Sequence, residues 1–502
     1  MERLTKKMVP KPLRPIRIVQ FGEGNFLRGF VDYFIDIANE QGIFDGNIVM
    51  IKPRDNGALD KFHEQDCLYT VSLRGNVDGA GCVKDRIVTC VDDVISPYDE
   101  YTKYLQLAEL ESLRFVVSNT TEAGIVLDES DRLENTPPES FPGKLTQFLY
   151  HRFKAFAGDC GKGLIILPVE LIDDNGSVLK KYVTHLAEVW RLEPEFLTWL
   201  DRACVFASTL VDRIITGYPK DKEKQEWEKL GYEDRLLVTG EPFALWVIES
   251  DVDISRELPL KEAGLPVIFT DNQKPYKQRK VRILNGAHTC LVPVAFLAGL
   301  DIVRDAMEDE QIRAFMLKTI YEEVIPTLSL PEEELKTFAG EVVNRFNNPY
   351  VDHALLAIAL NSVSKWRTRC MPSLLGYVER FGYLPVNLTF SLAALMAFYS
   401  AIRMEDGALI GRRRSGRVGH GNGTEEVQEA CQEYRIMDDL QVMEFFRDYC
   451  ERNEEAFVKA FLGKEDFFGQ DLNLVEGLAA AVAEYLRDIR RNGMRAALCR
   501  IL

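Results

Sequence analysis

Short apolar runs alternate with helix-like stretches through the first half of this 502-residue chain. Runs of this kind are typical of strands, and strands that alternate with helices favour a mostly parallel, doubly wound sheet. The candidate strands are 16–21, 48–51, 114–118, 164–167, 205–210 and 266–269. Segments 68–73 and 86–91 could add an antiparallel pair. The pattern therefore predicts an α/β fold for this half.

From about residue 285 the pattern changes to long segments with helical periodicity and no clear run of strands. These segments lie near 309–326, 331–346, 352–370, 385–403, 424–452 and 471–498. The join between the two patterns falls near 270–280. We therefore expect an α/β domain over 1–275 and a largely α-helical domain over 276–502, with the active site at their junction.

Composition and charge exclude several classes of protein. Apolar residues make up 46% and charged residues 28%, as in ordinary folded domains. A net charge of −17 disfavours nucleic acid as a partner, because non-specific binding to its phosphates needs a basic surface. No apolar run approaches the length of a membrane span, and no apolar stretch follows the N-terminus as in a signal peptide.

The cysteines and histidines constrain compartment and metal content. The ten cysteines are scattered without a C-x-x-C pair, which is typical of free thiols in a reducing compartment, so we expect the cytoplasm. The six histidines form no ligand-spaced pair or cluster with cysteines, so we expect no metal site. The sequence leaves the oligomeric state open.

A glycine turn follows the first candidate strand. Gly22 would allow a tight turn, and Gly24 would let backbone amides approach a pyrophosphate at a helix N-terminus. The usual third glycine is replaced by Leu27, so a purely structural turn is the alternative. The predicted cofactor-binding residues of this turn are Val19, Phe21, Gly22, Glu23, Gly24, Asn25, Phe26, Leu27 and Arg28.

Two later strand ends could also contact a dinucleotide. No acid stands directly after the second strand, where one would hold the ribose of NAD. Either Asp55 serves, or Lys52 and Arg54 accept the 2′-phosphate of NADP. After the strand 114–118, a polar turn is predicted to contact ribose or nicotinamide, the alternative being a helix N-cap. Its residues are Asn119, Thr120, Thr121 and Glu122.

The segment 280–288 carries the candidate reactive groups. Asn285 and His288 are three residues apart and share a face if the segment is helical, and Lys280 precedes them. The trio suits carbonyl reduction: a lysine donates the proton, an asparagine amide stabilises the developing alkoxide, and the histidine orients a hydroxyl. The lysine pKa would have to fall through burial or neighbouring cations such as Arg279 and Arg282. The alternative is a set of solvated side chains at a helix start.

An arginine- and glycine-rich segment, 411–423, is unusual for this acidic chain. The simplest interpretation is a mobile surface loop between helices. An anion-binding lid and a nucleic-acid-binding arm are the alternatives. Neither a G-x-S-x-G motif nor a P-loop occurs, so the sequence carries no signature of the common serine hydrolases or nucleotide triphosphatases.

The spacing Lys280-x4-Asn285-x2-His288 resembles the signature of the mannitol dehydrogenase family of polyol-specific long-chain dehydrogenases. The turn 22–28 and the block 240–249 are similar to further blocks of that family. The resemblance implies a Rossmann-type N-terminal domain, a helical C-terminal domain, NAD as cofactor and a zinc-independent mechanism. It implies Lys280 as general acid and base, with Asn285 and His288 positioning the reacting oxygen. NADP is not excluded.

Within that family the chain departs from the branches that act on mannitol and fructuronate. Those branches usually carry histidine at the position of Leu27 and an alkoxide-binding asparagine at that of Leu171. The blocks 118–124, 210–217 and 274–277 instead resemble the branch that interconverts D-tagaturonate and D-altronate with NAD in hexuronate breakdown. Fructuronate or another polyol or sugar acid is the alternative substrate.

A sugar-acid substrate carries a carboxylate, which favours an arginine partner. Arg345 resembles a substrate-contacting arginine of the family and is the first candidate. Lys277 is the second, and Arg367 or Arg369 the third; each could instead be a surface charge. Asp212 and Glu241 are predicted to adjust the pKa of Lys280 from a position behind it. The alternative is that each makes a structural salt bridge or a cap.

Overall fold

The computed structural model of the chain describes residues 1–77, 80–120, 124–415 and 430–502. Its described residues form two compact units: 1–77 with 81–273, and 274–502 with Ala80. Thr121 and Glu122 lie outside the described residues, and so does the part of the arginine-rich segment after Ser415.

The largest sheet of the first half is parallel throughout. The strands are Ile16–Phe21 (β1), Asn47–Ile51 (β2), Tyr69–Val77 (β3), Ala80–Val88 (β4), Val91–Ile95 (β5), Phe115–Ser118 (β6), Ile165–Pro168 (β7), Val205–Phe206 (β8), Ser208–Asp212 (β9), Ile215–Gly217 (β10), Val238–Gly240 (β11), Leu245–Glu249 (β12) and Val267–Thr270 (β13). The sheet order is β5-β2-β1-β6-β7-β8. This is the order of a doubly wound fold, so the predicted α/β class is confirmed.

Both faces of this sheet are buried, as expected for parallel strands. Ile18 and Met50 belong to one apolar cluster, and Val19 and Val49 to another. The helices of this unit are Asn25–Leu27, Arg28–Asp32, Tyr33–Glu40, Asp60–Glu64, Tyr101–Gln106, Leu107–Glu109, Phe141–Ala155, Cys160–Lys162, Asn175–Val189, Pro194–Ala203, Lys220–Lys222 and Glu223–Leu230. The first three are consecutive and form one continuous helix after β1.

Two smaller sheets complete this half, in the orders β10-β11-β3-β4 and β13-β12-β9. The single strand predicted over 205–210 is wrong: β8 ends the large sheet and β9 pairs antiparallel with β12. The physical reason is Asn175, whose buried amide accepts a hydrogen bond from the backbone N–H of Thr209 and donates one to its carbonyl. A side chain thus replaces the strand partner at the point where the chain changes sheets.

The second unit is largely helical. Its helices are Lys274–Arg279, Lys280–Asn285, Gly286–Leu297, Val303–Glu308, Glu310–Lys318, Thr319–Val324, Ile325–Thr327, Glu332–Phe346, Leu355–Ile358, Ser362–Arg369, Met371–Phe381, Val386–Phe398, Leu440–Tyr449, Glu454–Leu462, Glu465–Phe468, Leu472–Leu474, Leu478–Asn492 and Met494–Ile501. The helix Val386–Phe398 is buried almost all round and packs against Gly286–Leu297 and Leu478–Asn492. An apolar helix of this kind is typical of the centre of a helical core.

The second unit also contains a sheet that the sequence analysis missed. Ala401–Glu405 (β14), Ala408–Ser415 (β15) and Ala430–Ile436 (β16) form an antiparallel sheet with β15 in the middle. The helices predicted through 403 and over 430–436 are therefore wrong there. Asp406 and Gly407 both have positive φ, of 45° and 72°, and form the tight turn between β14 and β15. Asp-Gly is a strong hairpin signal, and it was available in the sequence.

The arginine-rich segment begins as part of β15, so the prediction of a loop from Gly411 is wrong as far as Ser415. Arg413 is buried, with its guanidinium 2.6 Å from the Asp301 carboxylate and 4.1 Å from the centre of the Phe296 ring. Arg412 pairs with Glu433 at 3.3 Å. These two arginines are engaged within the fold, which does not support an anion-binding lid for this part of the segment.

Candidate active site

The glycine turn after β1 has the form of a dinucleotide-binding turn. Gly22 has φ +128°, and a Cβ atom there would stand 2.9 Å from the carbonyl oxygen of Asn119. Only glycine fits this position without strain. Gly24 is the N-cap of the continuous helix that begins at Asn25, and a Cβ atom on Gly24 would meet nothing within 4 Å. The backbone amides of the turn are therefore reachable by an anion at the helix N-terminus.

The other predicted residues of the turn divide into buried and exposed ones. Val19, Phe21 and Leu27 are buried in the apolar core, where they shape the turn from below. Glu23, Gly24, Asn25 and Phe26 are partly or fully exposed.

Arg28 is a buried clamp within the turn. Its guanidinium donates to the Glu23 carbonyl at 3.1 Å, the Asn25 side chain at 2.6 Å and the Leu236 carbonyl at 2.5 Å. Burial lowers its pKa. The geometry supports a role in holding the loop in shape, because all three hydrogen bonds are made within the protein.

The polar turn after β6 lies beside the glycine turn. The Asn119 side chain donates to the Val169 carbonyl at 3.0 Å, and Thr120 donates to the Glu170 carboxylate through both its backbone N–H and its hydroxyl. Ser118 donates to the same carboxylate. Glu170, which the sequence analysis did not single out for a role, thus ties the ends of β6 and β7 together.

No acid stands directly at the end of β2. Lys52 is buried and donates to the Gly57 carbonyl at 2.6 Å, so its charge is used within the loop. Arg54 and Asp55 are exposed. Arg54 and Thr120 line an open cleft of about 200 Å³ beside the carboxyl edge of the sheet. In doubly wound folds this edge is where nucleotides bind.

Asp212 and Glu241 are both buried in the first unit. Asp212 is the last residue of β9 and pairs with Leu245. The Glu241 carboxylate accepts a hydrogen bond from the backbone N–H of Ile214 at 2.6 Å. Each has a structural task at a strand end, and their predicted effect on Lys280 stays a prediction.

Lys280 and Asn285 bound a π-helical turn, Lys280–Asn285, inside the continuous helix from Lys274 to Leu297. Five residues cover about 1.4 turns of an α-helix, which would point the two side chains about 140° apart. The wider i→i+5 turn brings them towards one face, and such insertions are frequent at functional sites. His288 follows one turn later. The predicted trio is therefore gathered along one stretch of helix.

His288 is held as a neutral imidazole. Its ring stacks on Phe346 at 4.0 Å between centroids and meets the ring of His353 edge-on at 5.6 Å. Burial lowers its pKa well below 6.5, and the nearby charges of Arg345, Arg369 and Lys365 lower it further. A neutral imidazole can both donate and accept a hydrogen bond, as positioning a hydroxyl requires.

Some candidate carboxylate-binding residues lie near His288, and others do not. Arg345 and Arg369 lie close enough to His288 for their charges to lower its pKa, and so does Lys365, which the sequence analysis missed. The exposed Arg367 points towards Gly469 instead. Lys277 is half-buried one turn before Lys280. Lys365 could have been found from its position four residues before Arg369, which puts both on one helix face.

The two sequence neighbours expected to lower the pKa of Lys280 are engaged elsewhere. Arg279 is buried, pairs with Glu334 at 2.6 Å and lies over the Phe338 ring at 4.5 Å. Arg282 donates to the Thr327 carbonyl at 3.4 Å.

Three features are absent from the described ranges: a cluster of metal ligands, a membrane-spanning helix and a disulfide. There, no group of three or more histidine, cysteine, aspartate or glutamate side chains is arranged to hold a metal ion. No helix of those ranges has the length and apolar character needed to cross a membrane. All ten cysteines fall within them and are free thiols.

Comparisons with known sequences agree with this geometry. Residues 16–261 match the mannitol dehydrogenase Rossmann domain, and 272–411 match the mannitol dehydrogenase C-terminal domain. Altronate oxidoreductase from Bacteroides thetaiotaomicron is 43% identical over 98% of both chains, and that from Pectobacterium atrosepticum is 44% identical over 99% of both. The enzyme of that name from Bacillus subtilis is 42% identical over 96% of this chain and 95% of its own.

Two solved structures share the fold. A substrate-free D-sorbitol dehydrogenase superposes with a TM-score of 0.75 at 22% identity, covering 99% of this chain and 100% of the other. Mannitol 2-dehydrogenase from Pseudomonas fluorescens, solved with NAD and D-mannitol, gives 0.64 at 21% identity and covers 99% of each. With both domains matched in order, the chain belongs to the mannitol dehydrogenase family and is an oxidoreductase that acts on a CH–OH group.

Proposed function

We propose that this enzyme interconverts D-tagaturonate and D-altronate with NAD(H), as a step in hexuronate breakdown in the cytoplasm. The observation that carries the choice of a sugar acid is the group of three cations around neutral His288: Arg345, Lys365 and Arg369. The hydroxyls of an uncharged polyol can accept hydrogen bonds from such a group, but only a carboxylate also gains charge-assisted contacts with it. The names and near full-length similarity of the altronate oxidoreductases support the same choice.

The residues of the first unit fit a dinucleotide cofactor. The position of Gly22 excludes any side chain, and Gly24 leaves the helix N-terminus open, so these residues would bind the pyrophosphate. Asn119 and Thr120 would lie along the cofactor at the sheet edge, and cofactor contacts of Thr121 and Glu122 stay a prediction from the sequence. When bound, NADH supplies the hydride. NADP is the alternative cofactor, because no acid stands directly after β2 to exclude a 2′-phosphate.

The trio of the second unit would manage the proton and the oxygen. Lys280 donates a proton to the carbonyl oxygen of tagaturonate as the alcohol forms, and removes it again in the reverse direction. The Asn285 amide donates to the same oxygen while it carries negative charge. His288 orients a substrate hydroxyl. Asp212 and Glu241 keep their predicted influence on Lys280, and no metal takes part.

The remaining assignments follow from these. Arg345 and Lys277 would contact the substrate. Residues 1–275 would serve as the cofactor domain and 276–502 as the substrate domain. The expected partners are small molecules, with neither nucleic acid nor membrane among them.

The test is oxidation of NADH or NADPH by the purified enzyme with D-tagaturonate, D-fructuronate and D-fructose in parallel. We expect turnover of tagaturonate with NADH and a loss of about 10²- to 10⁴-fold in kcat for Lys280→Ala, the usual contribution of a general acid. Lys336→Ala is the matched control, since Lys336 is an exposed lysine paired with Glu332. Preference for fructuronate or fructose would overturn the substrate. Binding of NADH without turnover of any substrate would indicate a nucleotide sensor.

A further inference from the structure

Lys365 and Arg369 form a pair of half-buried cations on the helix Ser362–Arg369. They are four residues apart and therefore lie on the same helix face. The Lys365 ammonium donates to the Ile358 carbonyl at 2.9 Å, and the Arg369 guanidinium donates to the Thr289 hydroxyl at 3.4 Å. Neither makes a salt bridge within the described part of the chain.

Without a bound anion, this pair of neighbouring positive charges is electrostatically unfavourable in the folded state. Burial lowers the pKa of both groups, and the charge of Arg369 lowers that of Lys365 further. The acid that acts on Lys365 is Asp438, whose carboxylate accepts the hydroxyl hydrogen bond of Tyr399. Two like charges held together without an anion destabilise the fold, and a bound anion removes that cost. The arrangement is typical of a binding site for an anion.

Hydrogen bonds connect this pair to the candidate catalytic residues. Arg369 donates to the Thr289 hydroxyl, and that hydroxyl donates to the backbone carbonyl of Asn285 at 2.9 Å. The charges of Lys365 and Arg369 also reach His288. An anion held by the pair would therefore belong to a molecule that also contacts the trio.

The chemistry of the substrate separates the roles of the cations. In tagaturonate the carboxylate stands towards the opposite end of the carbon chain from the carbonyl that is reduced. Arg369 donates to the side chain of Thr289, the residue that follows His288, so the pair lies beside the trio rather than at the reacting carbon. The carboxylate is then assigned to this pair.

We propose that Lys365 and Arg369 bind the substrate carboxylate and set the preference for sugar acids over uncharged polyols. Arg369 contributes a planar fork that can engage both carboxylate oxygens, and Lys365 contributes a point charge. The proposal rests on the proposed function, and it assigns the carboxylate to residues other than Arg345 and Lys277.

The experiment compares Lys365→Met and Arg369→Gln with the control Arg367→Gln, which removes an exposed charge from the same helix. KM and kcat are measured with D-tagaturonate, and inhibition constants are measured for D-altronate and for its uncharged alditol. We expect KM and the altronate constant to rise about 10- to 100-fold, the range for a lost charge-assisted contact, with a smaller change in kcat. The alditol constant should stay within about two-fold.

Charge-preserving variants separate recognition from structure. Lys365→Arg and Arg369→Lys should recover most of the affinity for the acid, and melting curves show whether each variant folds. An equal rise for altronate and its alditol would overturn the proposal, as would the same rise in Arg367→Gln. If Arg369→Gln does not fold, the two Lys365 variants decide.

Failure of the proposed function would give a different result. In that case the wild type reduces no hexulosonate, and calorimetry with D-gluconate tests the anion site directly. Binding that is lost in Lys365→Met would keep the carboxylate site and reject only tagaturonate. No binding of gluconate to the wild type would reject the site itself.

Discussion

Gly22 and Gly24 have different roles in one turn, although the sequence presents them as equivalent members of a motif. Gly22 is required by the protein itself, because its φ of +128° and the nearby Asn119 carbonyl exclude a side chain. Gly24 has ordinary extended backbone angles and open space around its Cα. No described atom near position 24 demands glycine there, which is consistent with the proposed approach of a cofactor to the backbone.

We therefore expect the two alanine variants to affect different properties, namely stability and NADH binding. Gly22→Ala should lower the free energy of unfolding by about 1–3 kcal/mol, since it forces a side chain into a strained backbone conformation. Gly24→Ala should change stability by only a few tenths of a kcal/mol but weaken NADH binding by about 10-fold or more through steric contact with the pyrophosphate. Denaturant unfolding and fluorescence titration with NADH measure the two quantities.

The outcome that would contradict this account is clear for each variant. Unchanged NADH affinity in Gly24→Ala would show that the cofactor does not lie against this residue. Full stability in Gly22→Ala would mean that the backbone at this turn relaxes at little cost. Gly42, which has positive φ and open space in the same unit, is a control for backbone strain alone.

At the scale of elements, the central helix of the second unit depends on a buried acid. Glu323 accepts hydrogen bonds from the backbone N–H groups of Asn387 and Leu388 and from the Asn387 side chain. It thus satisfies orphan donors at the start of the helix Val386–Phe398, as an N-cap would. Burial nevertheless raises its pKa to about 7.

This raised pKa makes part of the stability pH-dependent. The folded state holds the Glu323 proton more tightly than the unfolded state, whose pKa is near 4.5. The stability contributed by the protonated form is therefore complete below about pH 4.5 and is lost as the pH rises through about 7. The difference corresponds to at most about 3 kcal/mol.

Glu323→Gln should remove this contribution while keeping an oxygen that can accept hydrogen bonds. We expect its free energy of unfolding to fall less than that of the wild type between pH 5 and about pH 8. Glu323→Ala should be destabilised by about 1–3 kcal/mol at every pH, because it orphans buried N–H groups. Urea unfolding across this pH range is the measurement. Parallel pH profiles for wild type and Glu323→Gln would contradict the assigned cause.

The elements also show where the sequence was sufficient. The parallel sheet, the glycine turn and the helix that carries Asn285 and His288 follow from local patterns, because apolar periodicity and glycine positions are read directly from the chain. The sheet β14–β15–β16 was missed since its strands are rich in charge, and charge on exposed strands resembles a loop or a surface helix. The pairing of Arg413 with Asp301 depends on tertiary contacts more than 100 residues apart.

Some features of the candidate site could also be predicted from the sequence, and others could not. The placement of Lys280, Asn285 and His288 along one helix was predictable because they are close in sequence. Their catalytic roles stay a prediction, which rests on the resemblance of their spacing to a family signature. The structural role of Arg28 and the proximity of Lys365 and Arg369 to His288 were not predictable, because each depends on groups brought near by folding. His353, which meets His288 edge-on, is likewise 65 residues away from it.

At the scale of the whole molecule, the distribution of charge bears on metal content. The chain has a net charge of −17, so cations are attracted to its surface in general. The surroundings of His288 and His353 differ from the acidic surface, because they do not attract cations. Both imidazoles are neutral because their pKa values are lowered, and neutral imidazoles are good metal ligands. The charges of Arg345, Lys365 and Arg369 beside His288 repel a divalent ion, however, and disfavour its binding there.

We therefore expect activity and thermal stability to be insensitive to removal of metals. Dialysis against a strong chelator should leave kcat with tagaturonate within about two-fold of the untreated value and leave the melting temperature unchanged, because no step of the proposed mechanism needs a Lewis acid. Millimolar zinc should inhibit weakly or not at all, since the local cations oppose its approach. Loss of activity on chelation, restored by zinc, would contradict both expectations and would transfer the proton chemistry assigned to Lys280 to a metal-bound water. Variants of His353 would then separate the two mechanisms, because a metal-dependent enzyme loses its zinc content together with its activity.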